Sequence, residues 1–90
     1  MADRIIAADY RKMIVSLYQF SSQTMHLLRE LHGDLDACLQ GVGTEDTRIG
    51  RLRSYFSDVE QEYVNVALKA ADIAEKMEEE LRRAEQTGSV

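Results

Sequence analysis

Apolar residues recur along two long stretches of this chain at spacings of three and four. In the first, Tyr10, Met13, Leu17, Phe20, Thr24, Leu27, Leu31, Leu35 and Cys38 fall on one helical stripe. Ile14, Met25, Leu28 and Leu39 widen that stripe on one flank, beyond what a single partner helix covers. Ser16, Gln19, Gln23, Arg29 and Glu30 lie on or near the opposite face. Gly33 interrupts the run at a cost of roughly 1 kcal/mol relative to alanine, but the apolar spacing continues through it, so the helix is expected to continue too. In the second stretch, Ile49, Leu52, Phe56, Val59, Tyr63, Val66, Ala70, Ile73, Met77, Leu81 and Ala84 come close to a strict heptad series. Such a series favours left-handed, slightly supercoiled packing. Charges fill its outer positions, and pairs such as Asp72–Lys76 and Glu78–Arg82 support the helix at i,i+4.

Between the stretches lies Leu39-Gln40-Gly41-Val42-Gly43-Thr44-Glu45-Asp46. Two glycines two apart suit a turn, not a helix interior. Gly41 can take the left-handed position after a helix end. Thr44 is a good N-cap, with Glu45 and Asp46 placed where the helix dipole favours negative charge. The pattern predicts a first helix over about 9–40, a turn at 41–43 and a second helix over about 44–86. Asp9 and Asp3 are both candidate N-caps, and residues 1–8 read equally as a helix extension or an extended arm. Residues 86–90 read as a frayed polar tail.

The expected fold is all-α: one domain, residues 1–90, forming an antiparallel two-helix hairpin of rods roughly 45–60 Å long. A two-helix unit buries one seam and seldom outweighs its chain entropy alone. A second hairpin is therefore expected, in a homodimer or heterodimer that forms a four-helix bundle. The residues expected at helix packing or at that interface are Met13, Leu17, Phe20, Leu27, Leu31, Leu35, Leu52, Phe56, Val59, Tyr63, Val66, Ile73 and Met77.

Charge and composition narrow the partners. The 90 residues carry a net charge of −5 and no proline. Residues 41–90 hold most of the negative balance, and no basic cluster occurs. Nucleic acid and anionic membrane are poor partners for such a chain. No run approaches the roughly 18 apolar residues of a membrane span. The N-terminus places Asp3 and Asp9 where a signal peptide would be basic, so any export is expected to proceed without a conventional cleaved signal. Cys38 is the one cysteine and reads as a small buried hydrophobe.

Candidate chemistry adds little. His26 and His32 are six apart and fall on different helix faces, so they cannot chelate one metal as an i,i+4 pair does. Gly41-x-Gly43 lacks the strand and the third glycine of a dinucleotide loop. Ser21, Ser22 and Thr24 have no plausible base and no nucleophile elbow around them. The acidic residues flanking the turn lack EF-hand spacing. The expectation is a non-enzymatic helical interaction module with no cofactor and no metal.

Leu39-Gln40-Gly41, placed between two long helices in a chain of this length, resembles the Trp-x-Gly turn of the WXG superfamily. Those are small helical-hairpin proteins exported by type VII secretion systems of Gram-positive bacteria. Leu39 stands where the family has tryptophan, and related families carry leucine there. Gly43-Thr44-Glu45 also resembles the family's entry into its second helix. The resemblance implies that Leu39 packs at the end of a bundle and that Gly41 closes the turn. It implies secretion without a cleaved signal peptide, and pairing with another small hairpin or with a larger secreted effector. One departure stands out. The family's export signal is Tyr-x-x-x-Asp/Glu, and none of Tyr10, Tyr18, Tyr55 or Tyr63 has an acidic residue four places on. Members without it travel with a partner that carries it. The alternative is a cytoplasmic coiled-coil adaptor or secretion chaperone that is not itself exported.

Overall fold

The structure is a computed structural model that describes residues 5–40 and 47–88. Two helices form, α1 over Ala7–Leu39 and α2 over Thr47–Thr87, and no strand occurs among the described residues. They pack along each other as an antiparallel hairpin: Tyr10 meets Glu80 near one end, and His32 meets Glu60 towards the other. The chain measures 64 × 18 × 16 Å with a radius of gyration of 20.0 Å. A compact domain of this length would have a radius of about 12 Å. The molecule is thus an elongated rod of two paired helices.

The helix limits follow from local chemistry, with corrections to the expectation. Asp9 is not the N-cap of α1. That position falls to Ile6, whose backbone is extended (φ −85°, ψ 101°), and Asp9 lies in the first turn, where the dipole favours it. Ala7 and Ala8, from the best helix-forming residue type, carry the helix back past Asp9. Ile5 and Ala7 pack against the buried cluster of Ile14, Ala74 and Leu81, which anchors this end. At the other end of α1 the Gln40 N–H donates to the Asp36 carbonyl at 3.1 Å. The helix runs unbroken through Gly33. The expected turn with Gly41 and Gly43, and the expected N-cap Thr44, lie outside the described residues. α2 extends through Thr87, whose hydroxyl donates to the Ala84 carbonyl at 3.3 Å. Gly88 then takes φ +72°, the left-handed conformation that ends helices at low cost only for glycine.

The seam between the helices repeats every seven residues. On α1 it is Ala7, Ile14, Ser21, Leu28 and Leu35; on α2 it is Glu60, Ala67, Ala74 and Leu81. Ala67 and Ala74 are 0% exposed. Their small side chains let the helix axes approach closely, since axial distance is set by the residues at the contact. Leu39 and Ile49 are buried towards the turn end, and Ala70 and Ala84 flank the seam. The buried set is short, and among the described residues no large side chain is fully enclosed.

Candidate interaction face

Each seam row is flanked by two further rows, and the two flanks differ in chemistry. On one flank, α1 presents Arg11, Tyr18, Met25 and His32, and α2 presents Ser57, Val64, Ala71, Glu78 and Glu85. Polar groups close this side across the helices. Arg11 Nη2 donates to Glu85 Oε1 at 2.9 Å, the Tyr18 hydroxyl donates to Glu78, and His32 Nδ1 lies 2.8 Å from Glu60 Oε1. The hydrogen bond to Glu78 pushes the Tyr18 hydroxyl up to about 12, because ionisation would set two negative groups side by side. His32 also reaches Asp36 through Nε2 at 3.4 Å. With carboxylates at both ring nitrogens, the doubly protonated ring satisfies both partners, and its pKa is raised by the Glu60 hydrogen bond first and the Asp36 charge second. A groove of about 440 Å³ on this side is lined by Tyr18 and by charged residues such as Asp72, Lys76, Glu79 and Arg82. Asp72 and Lys76 pair within it at 3.0 Å, and with Glu75, Glu78 and Glu79 against Arg82 the groove is a polar, net acidic surface.

The opposite flank is apolar. α1 places Met13, Phe20 and Leu27 there at heptad spacing, with Leu31 one turn on from Leu27. α2 places Leu52, Val59, Val66 and Ile73 at heptad spacing, with Tyr63 between two of them. All of these are exposed in the hairpin, from 43% at Val59 and Ile73 to 57% at Leu27. Thr24, Leu27, Leu28 and Leu31 meet Val59 and Tyr63 around an apolar groove of about 330 Å³. The two stripes therefore share one side of the rod. Charge ends each stripe: Asp34 takes the next heptad position on α1, and Glu80 takes it on α2, held by the Tyr10 hydroxyl at 3.1 Å.

This geometry sorts the thirteen residues expected at packing or interface positions. Leu17, Leu35, Phe56 and Met77 are half-buried between the helices. Met13, Phe20, Leu27, Leu31, Leu52, Val59, Tyr63, Val66 and Ile73 line the open face. The residues that seal the seam are mostly others: Ile14 and Leu28, which the pattern placed on a flank of the stripe, and the alanines Ala67 and Ala74. The signal for the latter was present as small residues at 67 and 74 in step with Leu81, but it is weak beside a run of large apolar side chains. Of the turn motif, Leu39 is buried, while Gly41 and Gly43 lie outside the described residues. Cys38 corrects the expectation of a buried hydrophobe: it is exposed, because the seam at this end is taken by Leu35 and Leu39. Among the described residues no three His, Cys, Asp or Glu side chains gather as a metal site, and no helix is long and apolar enough to cross a membrane. Comparison with known proteins gives no match to a protein-family model, a curated protein or a solved structure.

Proposed function

We propose that the protein is a non-enzymatic helical interaction module whose open apolar face pairs with another helical hairpin to complete a four-helix bundle. The carrying observation is the continuous exposed stripe from Met13 to Leu31 on α1 and from Leu52 to Ile73 on α2. Monomeric proteins rarely leave so long an apolar surface to water, and such surfaces mark interaction sites. The hairpin itself buries little, so a partner that covers the face would also supply much of the stability.

Combined with Leu39-Gln40-Gly41 between the helices, this layout supports a role as a small type VII secretion substrate, or as the helical export partner of one. Buried Leu39 fits the position that the family gives to its turn residue. The second reading, an intracellular adaptor or chaperone, is favoured by the lack of a Tyr-x-x-x-Asp/Glu signal. Localisation in the native host separates the two. Protein in cell-free medium, without a cytosolic lysis marker and absent in a strain lacking the type VII ATPase, is expected for a substrate. Protein confined to the cytosol of both strains would contradict export and favour the adaptor.

A further inference from the structure

We propose that His32 is a proton-operated latch: its ring ties α1 to α2 on the polar side of the rod and so holds the width of the apolar groove on the other side. A latch of this kind regulates the open face, and its use rests on the interaction reading above.

The seam shows where a latch is needed. From the turn side to the terminal side, its row on α2 reads Arg53, Glu60, Ala67, Ala74 and Leu81. Apolar contact closes the terminal half, with Ala74 at 0% exposure beside Ile14 and Leu81. In the turn half a carboxylate takes the seam position, and the Glu60 side chain is only 30% exposed. A partly buried charge at a seam is costly unless a partner satisfies it. That partner is His32 on α1, whose Nδ1 lies 2.8 Å from Glu60 Oε1. The links Tyr10–Glu80, Arg11–Glu85 and Tyr18–Glu78 stand further towards the termini.

Latch and groove share their walls. Leu31 and Val59 line the apolar groove, and their chain neighbours His32 and Glu60 form the link on the opposite side. One turn of each helix therefore carries both features, and the spacing of those two turns sets the width of the groove.

The chemistry of the ring makes the link switchable. Protonated, it has a donor for each carboxylate: Nδ1 for Glu60, and Nε2 for Asp36 at 3.4 Å. The charged groups around it are Asp36 on its own helix, and Glu60 and Arg53 on α2. Arg53 opposes protonation, and the two carboxylates outweigh it. With the ring protonated, the positive and negative charges of the cluster cancel. Loss of the proton leaves one N–H for two carboxylates and an uncancelled negative charge. Asp36 is 52% exposed and can turn to water, whereas Glu60 is held at the seam. Whichever nitrogen keeps its proton, the contact with Glu60 loses the positive charge that strengthens it. The turn half of the seam then loosens around Leu31 and Val59, while the apolar terminal half stays closed.

The test is an NMR titration of the full chain between about pH 5 and 8.5, a range in which ordinary carboxylates stay ionised. The His32 ring is expected to titrate above the ordinary value of 6.5. The methyl signals of Leu31 and Val59 are expected to shift with the same midpoint, while those of Ala74 and Leu81 hold still. Asp36→Asn is expected to lower the midpoint and keep this coupling. Glu60→Gln is expected to lower the midpoint and lose the coupling, a contrast that a general loosening of the fold would not produce. His26→Gln, which removes a ring outside the cluster, is expected to change neither. Groove methyls that ignore the His32 transition would overturn the latch. So would methyls that follow it equally well in Glu60→Gln, since they would report only the nearby ring charge. Sedimentation of wild type and Val66→Asp at both ends of the titration judges the pairing separately. Equal masses for the two chains would refute the open face as a pairing surface, and the methyl signals would still decide the latch.

Discussion

Ala74 decides how closely the two helices approach. It is 0% exposed and belongs to the buried cluster with Ile14 and Leu81. Ala74→Leu would force a branched side chain into a closed seam, and the expected loss is about 1–3 kcal/mol, read as a lower denaturation midpoint. A midpoint equal to wild type would mean the seam is looser than described. His32 is the residue through which pH acts. Its pKa is raised by the Glu60 hydrogen bond and then by Asp36. A raised pKa in the folded chain means that protonation and folding favour each other. The contribution is complete below the unfolded value near 6.5 and is lost as pH rises through the folded value. His32→Gln should therefore be less stable than wild type in mildly acidic buffer and close to it at pH about 8. Urea titrations at the two pH values check this, and a gap that widens with pH would contradict the ion cluster.

At the scale of the elements, what was legible and what was not have physical causes. The two long helices and their antiparallel return were legible from apolar spacing and from the glycine-bearing stretch between them. The heptad series on α2 was legible as a periodicity, but periodicity does not say which neighbour covers a row. Phe56, Ala70 and Met77 of that series turn towards α1, whereas Leu52, Val59, Val66 and Ile73 turn away from it. The actual seam is one row further round, at Glu60, Ala67, Ala74 and Leu81. α2 carries two overlapping stripes, and the larger side chains lie on the open one. Cross-helix pairs such as His32–Glu60 were hidden, because the relative register of two helices is not written in either one. Gly33 tests the helix interior. A Cβ added there meets nothing within 4 Å, and the residue sits in uninterrupted α-helix. Gly33→Ala is expected to stabilise by about 0.5–1 kcal/mol. A loss of stability, measured by thermal unfolding, would mean that a close approach or a bend at this position is required.

For the whole molecule, the shape and the burial agree. A rod of 64 × 18 × 16 Å exposes 7062 Å², about a third more than a compact chain of this mass. The excess lies partly on a face of valine, leucine, isoleucine, phenylalanine and tyrosine side chains. On the proposed reading, a hairpin with so small a core gains its second layer from a partner laid on this face. Val66 sits in the open stripe near the middle of α2, 46% exposed in the hairpin. Val66→Asp leaves the α1–α2 seam untouched and places an unpaired charge where a partner would exclude water. The measurement to make first is the solution mass of wild type and Val66→Asp by sedimentation equilibrium, with helix content followed in parallel. Wild type is expected at twice its 10.3 kDa chain mass, with Val66→Asp reduced to a single chain of weaker helicity. A Val66→Asp chain that keeps the wild-type mass and melting temperature would contradict the open face as the surface through which this protein works.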